Sequence, residues 1–506
     1  MIQLDRFYGL QMSGGLGVFL FVVVLFGGCR VYEDGEPCQA ADGAVLPDGC
    51  PACNCPTTDT STGEDDTTPG EDTEEPDTNC TGEFYITDLD GNPAEKPSGN
   101  EAWIFDPASL HQFKVEMDPD DWEWLQENAL TEEYVPCTVA LGGLRYHGAG
   151  IRFKGAWSTL DGCFDDEGVQ ICPKLSMKIR FNKYDPCGRF HGVRRLVFNA
   201  AVYDSAMMRE RISYEVIRNA GLEGPRASHA TLEINDEDPS LFVLVEAPDK
   251  EFIQERWAKD EGNLYKEIWP VHEEAWEYEH ALKTNETEED VSGMMDFMTA
   301  VTGSTEESFS DDVAPFMDAG DMAWHVAVAR GIADDDGVIR FWCVGEGDTY
   351  CVNHNYYWYD EPGGLFRLIP WDMETTFYDK KDAAIMAPEW WDLPEDCDPV
   401  PFYIWEGIEN PGPNDYTPLV PPPCDPIIGR SVRSHPYAYL QGLEDVAAAM
   451  EVSLENLPVY KAQIAAALAA DPRLWHDMDE WEDNIGWFGT VIEHQIEVIE
   501  EVLAGR

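Results

Sequence analysis

The chain has 506 residues, 43% hydrophobic and 12% aromatic, which is enough apolar mass for a large folded body and too much for global disorder. Its 98 acids stand against 33 bases, a formal net charge of −65. A field of that sign repels phosphate backbones and anionic lipid, so no nucleic-acid partner is expected, and the acids read first as a solubilising surface.

Residues 17–26 read GVFLFVVVLF, too short to cross a bilayer as a mature helix but of the length of a signal-peptide core. Gly27-Gly28-Cys29 follows at once, and small residues before a cysteine resemble a bacterial lipobox. Residues 1–28 are therefore read as a lipoprotein-type signal peptide and Cys29 as the lipidated first residue of an exported chain. Its only membrane attachment would be the acyl anchor, at the cell surface or outer membrane. Phe26 where leucine is usual, and an Arg6 offset by Asp5, depart from the pattern.

Fourteen cysteines in an exported chain read as disulfides, and removing Cys29 leaves an odd number, so at least one is free or pairs elsewhere. Cys50-Pro-Ala-Cys53-Asn-Cys55 lacks the second knuckle or nearby histidine of a zinc site and reads as a small disulfide knot. Residues 56–79 have no apolar period and are rich in Thr, Pro, Gly and acids, the composition of an extended, self-repelling tether. Residues 29–82 thus form a cysteine-containing segment and tether, and 83–506 a single folded body.

In the body, strands are expected at Phe84-Tyr-Ile86, Phe113 to Met117, Ala149 to Phe153 and Leu175 to Phe181, the last two alternating apolar and polar. Asp118 to Asp121 should cap a short helix carrying Trp122 and Leu125. A helix is predicted over Ser205 to Ala220, from Met208, Ile212, Val216 and Ile217 at helical spacing, with Gly221 as its stop. Ala230 to Ile234 and Leu241 to Val245 read as a hairpin, and Asp249 to Trp257 as a short helix. Asp321 to Ala333 reads as an amphipathic helix, Tyr356 to Tyr359 and Leu365 to Ile369 as strands joined by a Pro-Gly-Gly turn, and Pro399 to Pro426 as an ordered loop. From about 436 the chain is helical. Strands come first and helices later, so the class is α+β.

Two stretches carry candidate chemistry, Asn353-His-Asn355-Tyr-Tyr-Trp-Tyr359 and Ile369-Pro-Trp-Asp372-Met-Glu374. The hairpin between them lets Asn353, Asn355, Asp372 and Glu374 converge, and magnesium prefers such hard oxygen ligands with substrate phosphates completing its shell. The alternative is that these residues only cap strand ends and turns. A calcium-stabilised surface domain is a weaker reading of the acids, since no twelve-residue calcium loop with its central glycine is present.

Several blocks, in order over about 145–380, resemble the CotH (spore coat protein H) family of atypical kinases. They are Arg152-Phe-Lys154-Gly155, Lys174-Leu-Ser176-Met-Lys178, Asn199 through Asp204 to Met208-Arg209-Glu210, Gly221 to Pro225, Leu244-Val-Glu246 with Asp249-Lys250, and Gly262-Asn-Leu-Tyr-Lys266, followed by the Asn-Tyr-Tyr and Pro-Trp-Asp pieces. The resemblance implies an atypical protein-kinase-like fold that uses Mg-ATP (or manganese) to phosphorylate Ser or Thr of other surface proteins. It implies Asp372 and Asn355 as metal ligands, with Asn353 beside them. It implies Asp336 as the base-like aspartate, with Asp348 as its rival, because the stretch from Asp336 to Asn355 is long, as if a loop were inserted; Cys343 and Cys351 can clamp that loop. For the phosphate-binding lysine it points to Lys174 or Lys178, with Lys154 behind them, and for the pairing acid to Glu210 or Glu246. Glycines usual before the Leu-Val-Glu block are absent, and Glu374 stands where the family often has a second aspartate. Those departures keep a second implication open, a catalytically inactive kinase-like surface or adhesive protein.

Overall fold

The computed structural model describes residues 40–45, 51–53, 82, 85–95, 97, 101–155, 159–165, 167–344, 350–377, 397, 400–403 and 416–505. Cys29, the 56–79 tether and Asp348 lie outside them, as does the cysteine knot apart from its strand residues 51–53. The chain divides into two units, Met1–Thr62 and Gly63–Arg506. In the first, β1 (Ala40–Val45) pairs antiparallel with β2 (Pro51–Cys53).

In the second unit, β3 (Tyr85–Asp88), β4 (Leu110–Glu116), β5 (Val135–Leu141), β6 (Leu144–Phe153), β7 (Met177–Arg180), β8 (Arg195–Asn199), β9 (Ala227–Ile234) and β10 (Ser240–Val245) form one sheet in the order β3-β6-β5-β4-β9-β10-β8-β7. A further β6–β7 pairing closes β4 to β10 into a ring. β6 achieves this by its length: Leu144 to His147 pair with β3, and Gly150 to Phe153 pair with β7. Closure removes the free edges that a flat sheet would present. Side chains alternate across each strand. One set, with Phe113, Tyr146, Phe153, Phe181, Leu196, Phe198 and Phe242, builds an aromatic-rich core. The other, with Val197, Leu241, Val243 and Val245, joins the core shared with the helices. Four helices punctuate this half: α1 (Glu101–Ile104), α2 (Pro119–Glu127), α3 (Arg209–Asn219) and α4 (Lys250–Arg256). Asp118 and Asp249 cap α2 and α4 by accepting from Asp120 and Phe252 N–H.

The second half opens with β11 (Asn263–Lys266), then α5 (Ala275–Ala281), α6 (Ser292–Gly303), α7 (Phe309–Val313) and α8 (Ala319–Gly331). β12 (Phe341–Val344) and β13 (Tyr350–Val352) follow, then the hairpin β14 (Tyr356–Asp360) and β15 (Phe366–Pro370), to which β11 adds a third strand. β16 (Val400–Tyr403) and β17 (Tyr416–Val420) join β12 and β13 in a four-stranded sheet, and α9 (Ile428–Ser434), α10 (Pro436–Ala470) and α11 (Met478–Ala504) complete the chain. α10 crosses α8 closely: a Cβ on Gly331 would lie 2.5 Å from a Val446 methyl. Among the described residues no helix is long and apolar enough to cross a membrane.

The strand-first, helix-later order is as the sequence suggests. Three expectations change. The helix expected from Ser205 starts at Arg209, because the Asp204 carboxylate binds the Ala206 and Arg209 N–H groups and Met207 adopts φ 58°. Part of the loop expected over Pro399 to Pro426 is β16 and β17. Helices α5 to α7 had no counterpart in the sequence reading. The cysteine pairs among the described residues are Cys163–Cys172, Cys343–Cys351 and Cys397–Cys424, and Cys137 is free and buried.

Candidate active site

The site assembles from four pieces. The first is one face of the closed sheet. Lys154 N–H donates to the Ser176 carbonyl at 3.0 Å, and the β7–β8 register places Ser176 beside Asn199. Alternation puts all three on the face that carries Val197 toward the helices. The second piece is the first turn of α3, which presents Glu210. Lys154 Nζ donates to Asn199 Oδ1 at 3.0 Å, and Asn199 Nδ2 donates to both Glu210 oxygens at 2.9 and 2.8 Å. All three side chains are buried. The amide thus couples the lysine to the acid.

The third piece is the pair of ends of the β14–β15 hairpin. Asn355 precedes β14 and Asp372 follows β15; both take left-handed backbone, φ 63° and 52°. Asn and Asp tolerate this conformation better than other side chains. Trp371 N–H closes the pair by donating to the Asn355 carbonyl at 2.9 Å. Glu374 lies in the following turn and accepts from Tyr203 N–H at 3.1 Å. The fourth piece is the segment after α8. Asn355 Nδ2 donates to the Asp336 carbonyl at 2.9 Å and to its Oδ2 at 3.1 Å, while Trp342 Nε1 donates to its Oδ1 at 2.9 Å. Gly337 is required here, since a Cβ would lie 1.6 Å from Asp334 Oδ2.

The electrostatics bind these pieces into one cluster. Burial pushes the Glu210 carboxyl well above the usual range, and the charges of Asp372 and Glu374 add to it. Burial and then Asp372 push Glu374 up to about 8. Asp334 is raised to about 8 by burial and then by Asp336, with Asp372 adding to it. Asp336 is raised to about 6 by burial, His354 opposing and Asp372 adding. Asp372 is therefore the charge that all four of these acids feel. Lys266, buried at the end of β11, is lowered to about 8 by desolvation, with Glu267 and Asp372 opposing. Glu267 accepts the Asn355 N–H at 2.8 Å.

Like charge gathered in a poorly solvated pocket is what a hard divalent cation relieves. Asp334 Oδ1 is buried with no hydrogen-bond partner, an oxygen that such an ion could engage. The described acids whose oxygens approach one another within 4.8 Å in a group of three are Glu101, Glu246 and Glu255, and that group is balanced by Arg226 and Arg256. An ion at Asp372 would therefore rely on phosphate oxygens for much of its shell, as magnesium does with nucleotides.

The geometry reorders the sequence candidates. Lys174 donates to Asp471 Oδ2 at 2.8 Å and to the Leu241 carbonyl at 2.5 Å, a buried tie between the sheet and the segment after α10. Lys178 is buried on β7 opposite Arg152. Lys154, placed behind both in the sequence, is the one that Asn199 links to Glu210, within the cluster around Asp372. Glu246 is instead gripped by Arg226 at 2.6 Å and Arg256 at 2.7 Å, which hold its carboxyl below the usual range despite its burial. Asn353 is also drawn away: its Nδ2 donates to the Val338 carbonyl at 2.8 Å and its Oδ1 accepts from Tyr356 at 2.9 Å, so it braces the loop and does not face Asp372 through either atom. Asn199, Lys266, Glu267, Asp334 and Trp342 carry no assigned role in the sequence. Asn199 and Lys266 sat inside recognised blocks, whereas Glu267 and Trp342 gave no signal.

A family model described as CotH kinase protein matches residues 151–499, more than half of the chain. The chain belongs to the CotH family. It is also similar to the inner spore coat protein H of Bacillus subtilis (strain 168), 22% identical over 282 residues, which cover 53% of this chain and 70% of that protein. Lys154, Asn199, Glu210, Lys266, Asn355 and Asp372 all fall within the CotH match, Asn199 and Glu210 in one block of the sequence and the others each in its own, and the fold gathers them around one cluster.

Proposed function

We propose that this CotH protein is an exported kinase that transfers the γ-phosphoryl group of Mg-ATP to Ser or Thr of other surface proteins. The observation that carries it is the joint placement of a buried Lys154–Asn199–Glu210 chain and an Asp336–Asn355–Asp372 group, the lysine, metal-ligand and hydroxyl-orienting groups that phosphoryl transfer needs. A magnesium ion held by Asp372 and Asn355 would neutralise phosphate charge. Lys154 holds a phosphate oxygen while Asn199 and Glu210 fix its ammonium. Asp336 orients the acceptor hydroxyl and takes its proton as the oxygen–phosphorus bond forms and ADP leaves. Both of its oxygens are already engaged by N–H donors, so its direction is set before substrate arrives.

Export with Cys29 as a lipid anchor belongs to the same reading, and a tether at 56–79 would let the body reach acceptors on the same surface. The relative's name places that protein in a spore coat, which favours a surface location here. The test is incubation of the purified chain with Mg-ATP, measuring phosphate transferred to itself and to proteins of its own cell envelope. Asp336→Asn and Asp372→Ala should each abolish transfer; undiminished transfer by either variant would remove that residue from the mechanism.

A further inference from the structure

Between Asp336 and Asn355, residues 341–344 and 350–352 pair as a clamp. β12 and β13 run antiparallel with Cys343 opposite Cys351, and a disulfide joins those two positions. On its other side β12 pairs with β17, where Trp342 sits opposite Leu419. Trp342 is thus held by a strand on each flank, with Val352 across from it on β13. The Arg340 guanidinium lies 5.2 Å from the centre of its ring, and Arg340 Nε donates to the Asp335 carbonyl at 3.1 Å. From this backbone position, between two strands, the indole Nε1 donates to Asp336 Oδ1. The other carboxylate oxygen receives Asn355, which begins three residues after β13 ends.

We infer that the disulfide-clamped strand pair β12–β13 positions the candidate base Asp336, with Trp342 as the positioning residue that transmits the clamp. The role assigned to Asp336 rests on the proposed function; the clamp itself does not. An indole N–H on a ring with little freedom sets the carboxylate's direction, and misplacing a reacting group by about an ångström can lower a rate on the order of 100-fold. Trp342 touches no substrate in this account and acts only through Asp336.

The experiment compares the full chain with Trp342→Phe, which keeps the ring and removes the donor, and with Cys343→Ser/Cys351→Ser, which cuts the clamp. Two readouts are taken. Hydrogen–deuterium exchange over residues 333–344 should quicken in both variants, independently of any activity. Phosphoryl transfer should show kcat lowered by about 10-fold or more while KM for ATP stays within about twofold, because the Lys154 side of the site is untouched. Unchanged exchange in both variants overturns the inference. So does a raised KM with intact kcat, which would mean that the clamp serves nucleotide binding. If the parent chain transfers no phosphate, the proposed function fails, and the exchange data alone still decide whether the clamp orders the segment.

Discussion

Replacing Asp471 with alanine tests whether Lys174 is a structural tie and not the phosphate lysine. The Lys174 and Asp471 side chains are 3% and 0% exposed, and their ion pair spans 2.8 Å. Asp471 Oδ2 also accepts Leu241 N–H at 2.9 Å, and its Oδ1 accepts Arg473 N–H at 2.9 Å. Removing one partner of such a pair leaves a buried charge and costs about 3–5 kcal/mol. Replacing both with apolar groups removes that charge, leaving the Leu241 N–H, at about 1–3 kcal/mol, and the Arg473 N–H without their acceptor, as the single variant also does. Urea unfolding should therefore show Asp471→Ala destabilised by about 3–5 kcal/mol, and Lys174→Met/Asp471→Leu recovering a large part of it. A cost below about 1 kcal/mol for Asp471→Ala, or a double variant no better than the single one, would refute the tie. The double variant must also keep its response to Mg-ATP; losing it would return Lys174 to the phosphate site.

Three further outcomes follow from the structure. Asn199→Leu severs Lys154 from Glu210 and should weaken ATP binding about tenfold, measured by calorimetry, which corresponds to one charge-assisted hydrogen bond at about 1.5 kcal/mol. Gly337→Ala forces a Cβ into the Asp334 carboxylate and should cost about 1–3 kcal/mol in melting experiments. The Glu101 carboxyl, pushed up to about 8 from 4.5 by burial and by Glu255 and Glu246, binds a proton in the folded state that the unfolded chain releases earlier. That stabilisation is full below about pH 4.5 and is lost as pH rises through 8, so Glu101 alone contributes a fall of up to about 1.4 kcal/mol per pH unit between 5 and 8, on top of the falls from Glu374 and Asp334, which are also raised to about 8. Glu101→Gln should lessen the slope by that share, and an unchanged slope would remove Glu101 as a contributor.

Much of the fold is written in local pattern. Alternation gave β6 and β7, Asp118 announced α2, and the spacing of Met208, Ile212 and Val216 gave the body of α3. The α3 start was misplaced because Asp204 captures backbone N–H groups that a helix would otherwise have used, a tertiary choice with no periodic signature. Closure of the sheet depends on β6 meeting β7, a pairing that periodicity does not specify. In the candidate site, Asp372 and Asn355 came from ordered blocks and Glu210 from one as an alternative to Glu246, whereas Asp336 came from the Asp-Gly pair after a helix, with its rival Asp348 outside the described residues. The choice among lysines was not, because Lys154, Lys174 and Lys178 all lie on strands of one sheet, and their partners at Asn199 and Asp471 are 45 and 297 residues away. The sequence offers Glu246 equally as a pairing acid, and only the fold brings Arg226 and Arg256 onto its carboxylate.

The central claim is that nucleotide and metal meet at Asp372. The most direct measurement is the melting temperature of the full chain with and without Mg-ATP, for the parent and for Asp372→Ala. A ligand at about 100 times its Kd adds about 2.7 kcal/mol to the folded state. The account predicts a metal-dependent rise in the parent and its loss in the variant. No rise in the parent at saturating Mg-ATP, or the same rise in both proteins, would contradict it and leave the CotH body as an inactive surface protein or move the nucleotide elsewhere.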